Sequence, residues 1–231
     1  MDFTVLHADA HLLVLDKPAG LLCVPGRGPD KQDCLSVRVQ SVFPDALIVH
    51  RLDMATSGLL LMARGLQSQQ NLNRQFEQRS VHKRYLAIAA GKLMDMAPTW
   101  RSIDLPIAVD WPQRPLRKID HLHGKPSLTH WQSIGYDAAA HTTQVILAPV
   151  TGRSHQLRVH LQAIGHPILG DALYAPPAIA HASTRLLLHA SQIQLQHPQS
   201  GHTMRFTCTP PFGHNWPGPE HLLADMAIAC A

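Results

Sequence analysis

The chain has 231 residues, 45% apolar side chains and a formal net charge of +4, enough to bury a core without covalent staples. Its four cysteines are scattered with no CxxC pair, which argues against a zinc ribbon or a disulfide framework and fits a reducing cytoplasm. No basic-then-apolar leader is visible and no apolar run nears the ~20 residues of a membrane span, so secreted and membrane classes are not expected.

In chain order, His11–Leu15 reads as a buried strand, stopped by Lys17-Pro18-Ala19-Gly20 and followed by a Pro/Gly-rich loop, 24–29. Cys34–Phe43 is predicted to be a helix with Leu35, Val39 and Val42 on one face, ended by Pro44. Leu59–Ala63 is a second apolar run. Gln67–Arg79 has helical spacing, with Leu72 and Phe76 on its inner face, and Tyr85–Ala89 returns to strand. The segment from Ile103 to Gly124, with Pro106, Pro112 and Pro115, reads as loop.

Val145–Leu147 is a strand. Ser154 is placed to cap a helix carrying Leu157, Leu161 and Ile164, with Gly165 at its left-handed end. Ile193 and Leu195, the turn Pro198–Gly201, and Met204, Phe206 and Cys208 read as a hairpin. Strands and helices mix without regular βαβ spacing, which predicts an α+β fold. Residues 213–231 read as an appended tail, with a short helix expected over Leu222–Ala229.

Charge is unevenly placed. Between Arg51 and Lys92 there are seven basic residues against two acids, Asp53 and Glu77. Such a stretch suits a polyanion and equally suits a solvated face. Aromatics are 5% of the chain, so an extended stacking platform for single strands is not expected.

The segment His50-Arg-Leu-Asp-Met-Ala-Thr-Ser-Gly58 sets one carboxylate beside an arginine, between apolar runs. Asp53 there suits a nucleophile or base, provided a cation keeps it ionised. Arg153, in Thr151-Gly-Arg-Ser-His155 before a helix N-terminus, is the candidate. A buried structural ion pair would leave the same trace. No GxxxxGK[ST], HExxH or GxSxG motif occurs, and a kinase catalytic loop would place Asp directly after Arg. His155 and His160 share no helical face suited to a metal. No cofactor and no metal are expected.

Four ordered motifs resemble those of the RluA-type pseudouridine synthases. They are Lys17-Pro-Ala-Gly-Leu21, His50–Gly58, Lys83-Arg-Tyr-Leu-Ala87, and Thr151–His160 with His166–Asp171 and Arg185–His189. Val24-Pro-Gly-Arg27, Met54-Ala55 and Asp110–Pro115 resemble the branch with dual specificity for large-subunit ribosomal RNA and the tRNA anticodon stem-loop.

The resemblance implies an α+β fold: a mixed, mostly antiparallel sheet, flanking helices and a central RNA-binding cleft, without an S4 domain. It implies a catalytic domain over residues 1–212, a monomer, and RNA as the partner. The implied reaction isomerises uridine to pseudouridine. Asp53, Tyr85 and Arg153 are the implied catalytic residues. Asp53 would attack C1′ or abstract the C2′ proton, and Arg153 would keep it ionised. Tyr85 would stack on the flipped uracil and take part in removing the C5 proton. Arg51 would fill the place the uridine left, and Lys83, Arg84 and Arg158 would also bind RNA. His50 and Thr56-Ser57-Gly58 are expected to be structural. The alternative is a non-catalytic RNA-binding or ribosome-assembly factor on the same fold.

Overall fold

The computed structural model describes residues 3–93, 99–213 and 216; the helix expected over Leu222–Ala229 lies outside them. Along the chain run β1 (Thr4–Ala8), β2 (Leu12–Lys17), α1 (Leu35–Gln40), β3 (Ala46–Ile48), β4 (Ser57–Arg64) and α2 (Leu66–Glu77). Next come β5 (His82–Ala90), β6 (Arg101–Asp104), β7 (Ile107–Val109), β8 (Arg117–Ile119), β9 (Leu128–Asp137) and β10 (Thr142–Pro149). Helices α3 (Gln156–Ala163) and α4 (Pro177–Ala180) precede β11 (Leu188–Gln196) and β12 (Thr203–Thr207). The chain divides into two compact units, one made of the chain up to Lys83 with His189–Pro211, the other of Arg84–Leu188 with the chain from Phe212 on.

In the first unit β4 is central. It pairs antiparallel with β2 and with β3, and parallel with β11 at Ser57 and Gly58. Leu59–Ala63 and Leu12–Leu15 are buried, as are Leu35, Val39 and Leu72 on the covering helices. An uninterrupted apolar run is what a strand covered on both faces requires. Gly58 has φ +105°, and a Cβ there would meet the Ala190 carbonyl oxygen at 2.3 Å, so β11 can lie against β4 only if residue 58 has no side chain. The expected hairpin forms from β11 and β12, with Ile193 facing Phe206 and Leu195 facing Met204.

In the second unit β5, β10, β9 and β6 form a consecutive antiparallel array. The pair β7–β8 stands apart as a small hairpin.

Three expectations change. Helix α1 ends at Gln40, and Val42 is exposed because the chain turns back there with the Val42 and Phe43 amides on the Val39 carbonyl. The stretch 103–124 carries strand residues in β6, β7 and β8, since its prolines fall between them and its Ile103 and Ile107 find a core. Ser154 does not cap α3; the cap position is His155, at φ +59°, while Gly165 does take the left-handed end at φ +86°.

Candidate active site

Asp53 lies in the loop between β3 and β4, and its neighbours are held from several sides. Both backbone groups of Leu52 engage the buried Cys23 sulfur at 3.2 Å, the thiol donating to the carbonyl and the amide donating to the sulfur. Burial raises the Cys23 thiol, which keeps that donor in place. On the other side, the Met54 carbonyl accepts from the Gly20 amide at 2.8 Å and from Lys17 Nζ at 3.1 Å. Lys17 is 0% exposed, and its Nζ also donates to the carbonyls of Pro18 and Leu21, each at 2.8 Å. Three donated bonds use three hydrogens, the ammonium form.

The Thr56 amide closes the turn onto the Asp53 carbonyl at 3.1 Å. Buried Ser57 then donates to His189 Nδ1 at 2.8 Å, the His189 Nε2 proton going to the Cys208 carbonyl at 3.2 Å. The outcome is an alternation: Arg51 exposed, Leu52 buried, Asp53 partly exposed, Met54 exposed. Asp53 is therefore a partly exposed residue on a backbone tied at both flanks.

His50 has the structural role expected of it. Its Nε2 accepts the Leu61 amide at 2.9 Å, and its ring stacks on Phe76 with centroids 4.8 Å apart. Burial, with the nearby Lys83 charge adding to it, lowers its pKa to about 3. Lys83 lies over the same Phe76 ring at 6.0 Å, and burial lowers it to about 8.

Asp16, His189 and Cys208 bring three potential ligand atoms within 4.8 Å of one another behind the Asp53 loop. Their chemistry is that of a hydrogen-bonded cluster: burial and Asp16 push the Cys208 thiol up to about 12, and the His189 ring bonds Ser57 and the Cys208 carbonyl.

In the second unit Tyr85 sits on β5 opposite Leu147 of β10 and is partly exposed. Arg153 is exposed on the turn before α3. Its amide and the Thr151 hydroxyl both donate to Gln156 Oε1, at 3.0 and 2.8 Å, while Gln156 Nε2 donates to the Leu128 carbonyl and Thr129 Oγ1, each at 3.0 Å. Buried Gln156 therefore ties the Arg153 turn to the start of β9. Tyr174 adds a second tie: its hydroxyl accepts the Arg117 amide at 2.9 Å and shares a hydrogen bond with His155 Nδ1 at 2.6 Å.

Two of the arginines expected to meet RNA are inside. Arg158 has a side chain 5% exposed and forms a two-pronged pair with buried Asp171, at 2.8 and 2.6 Å. Its fork is spent on that carboxylate, which makes it a structural residue. Arg84 is buried over the Trp100 ring at 4.8 Å, on the inward side of β5. Lys17, Cys23, Gln156, Asp171 and Tyr174 were not singled out as site residues. Of these, Lys17, Gln156 and Asp171 do lie inside the recognised motifs, and their invisible property was burial.

Comparison with known proteins identifies the family. The family model described as RNA pseudouridylate synthase matches residues 11–163, and the chain belongs to that family. It is therefore an RNA pseudouridine synthase, an isomerase. The dual-specificity RNA pseudouridine synthase RluA of Yersinia pestis is 47% identical over 208 residues, covering 90% of this chain and 99% of the relative. The RluA of Escherichia coli is 45% identical over 202 residues, covering 87% and 90%. Among solved structures, human RNA pseudouridylate synthase domain containing 1 superposes with a TM-score of 0.78 at 26% identity, covering 100% of this chain and 96% of that one. Among the described residues no helix is long and apolar enough to cross a membrane.

Proposed function

We propose that this chain converts specific uridines of both ribosomal RNA and a tRNA anticodon stem-loop to pseudouridine, the work being done within residues 1–212. The N1–C1′ bond breaks, the uracil turns, a C5–C1′ bond forms, and the proton on C5 leaves as N1 regains one. Atoms balance within the nucleotide, so no co-reactant is needed.

Asp53 is the catalytic carboxylate in this reading. It either forms a transient bond to C1′ or removes the C2′ proton, and in both cases a tied loop shortens the search for the reacting geometry. Tyr85 offers a ring face to the flipped uracil and a hydroxyl near the proton that must move. Arg153 is the cation assigned to pair with that carboxylate. Arg51, exposed two residues before Asp53, takes the gap left when the base leaves its stack.

The observation that carries the proposal is the partly exposed Asp53 between the Cys23 tie at Leu52 and the Lys17 tie at Met54. Relatives named dual-specificity RNA pseudouridine synthase, at 45–47% identity, support the pair of substrates. The test is tritium release from RNA labelled at uridine C5. Wild type should release label from both RNA classes, and Asp53→Asn should release none while binding RNA within a few-fold of wild type. An Asp53→Asn enzyme with normal release would remove Asp53 from the chemistry.

A further inference from the structure

The chain is poor in aromatics, and most of them are at least half buried. Trp111 is different: it is 67% exposed, and among the described residues no other Trp, Tyr or Phe is in the exposed class. It sits at the tip of the β7–β8 hairpin. One face of its ring is covered by the Arg114 guanidinium, 3.5 Å from the ring centroid. That stacking fixes the ring's orientation without burying it.

The tip is rigidly mounted. The turn is closed by the Asp110 amide on the Leu116 carbonyl (3.1 Å) and the Leu116 amide on the Gln113 carbonyl (2.9 Å). The Arg117 amide is held by Tyr174, which also holds His155 beside the Arg153 turn. Ile107 and Lys125 exchange amide bonds at 3.0 and 2.9 Å along the other edge. Gly124 lies so close to this hairpin that a Cβ would meet the Asp120 carbonyl oxygen at 2.3 Å.

Below the tryptophan opens a cleft of about 710 Å³, lined by Trp111, Arg117, Lys118, His123, Lys125 and Arg153. The acid that faces it, Asp120, accepts the Leu122 and His123 amides at 3.1 and 2.9 Å and has Lys118 at 3.8 Å. Against this one acid stand Arg117, Lys118, Lys125 and Arg153, so the charged side chains of the cleft are net positive. An exposed ring beside such a cleft matches a nucleobase with its flanking phosphates.

We propose that the β7–β8 tip is a second base-recognition platform for the RNA substrate. An unpaired loop base other than the target uridine stacks on Trp111, backed by Arg114, while Arg117, Lys118 and Lys125 neutralise the adjoining phosphates. This deepens the reading of the chain as a pseudouridine synthase and rests on it. Loop bases are the ones free to be splayed and stacked in this way. The platform makes the enzyme select loops by where a second base projects, in addition to the uridine it modifies.

The test uses the full chain and RNA stem-loops labelled with tritium at uridine C5, made also with a fluorescent adenine analogue at each other loop position in turn. Trp111→Ala should raise KM for stem-loops by roughly 5- to 100-fold, leave kcat within about twofold, and abolish the quenching that wild type imposes at one analogue position. Trp111→Phe should restore much of the affinity. Because the ring is exposed, the melting temperature of these variants should match wild type. An unchanged KM for Trp111→Ala, or wild-type quenching at no position, overturns the platform and leaves the isomerase reading intact. A wild-type chain that releases no tritium defeats that reading instead.

Discussion

Replacing Lys17 with Met keeps the stem length and removes Nζ from a place where solvent cannot substitute for it. Met54 would retain the Gly20 amide, whereas the Pro18 and Leu21 carbonyls would lose the bonds Nζ makes to them at 2.8 Å. A buried carbonyl deprived of its donor costs about 1–3 kcal/mol, and relief from burying an ammonium offsets part of the total. The expected net loss is about 2–4 kcal/mol, or roughly 5–15 °C in Tm for a chain of this size.

The functional consequence is separable from the loss of stability. Met54 would be tied on one bond instead of two, and Asp53 with it, so the carboxylate would sample positions away from the reacting centre. A displacement of about 1 Å costs on the order of a hundredfold in rate. Well below its Tm, Lys17→Met should therefore show a strongly reduced kcat with KM for RNA changed little. Tritium-release kinetics with urea unfolding on the same preparation check this. A variant with wild-type stability and wild-type kcat would refute the positioning role. One that is merely unstable, with normal kcat in the cold, would reduce Lys17 to a packing residue.

Arg158→Ala should cost about 3–5 kcal/mol by stranding the buried Asp171 carboxylate, and leave the salt dependence of RNA affinity unchanged. A stable variant whose salt slope falls by about one would instead restore Arg158 to the RNA contacts. His50 makes acid stability a second readout. Its folded pKa, about 3, lies below the ordinary 6.5, so between these values the unfolded chain binds a proton that the folded chain does not. Its contribution is complete above about pH 6.5 and is lost as the pH falls, by about 1.4 kcal/mol per unit at most. His50→Gln, which can still accept the Leu61 amide, should flatten that limb relative to wild type in urea unfolding between about pH 4 and 7. Parallel profiles would show that His50 already carries a proton in the folded state.

Much of the first unit was legible in advance. The apolar runs that became β2 and β4, the turn of the β11–β12 hairpin, and the placing of Asp53 between two apolar segments all depend on local periodicity, which survives in one dimension. The glycine of Thr56-Ser57-Gly58 was expected to free the backbone; the structure adds that the Ala190 carbonyl oxygen takes the place of its missing side chain.

What only the tertiary structure decided was the job of each charged residue. Arg158 and Arg84 carry the same formal charge as Arg51, yet Asp171 and Trp100 hold them inside while Arg51 faces water. Lys17 looked like a motif lysine and became the internal tie of the Asp53 loop. Trp111, in a stretch read as loop, became an exposed ring on an anchored hairpin. The physical reason is common to these cases. Chain periodicity and motif spacing are properties of neighbours in sequence, whereas burial and pairing of a charge depend on partners brought from elsewhere in the chain. The sequence by itself determined the family, the fold class and the candidate carboxylate; folding decided which cations stay available for RNA and which are used to hold the loops in place.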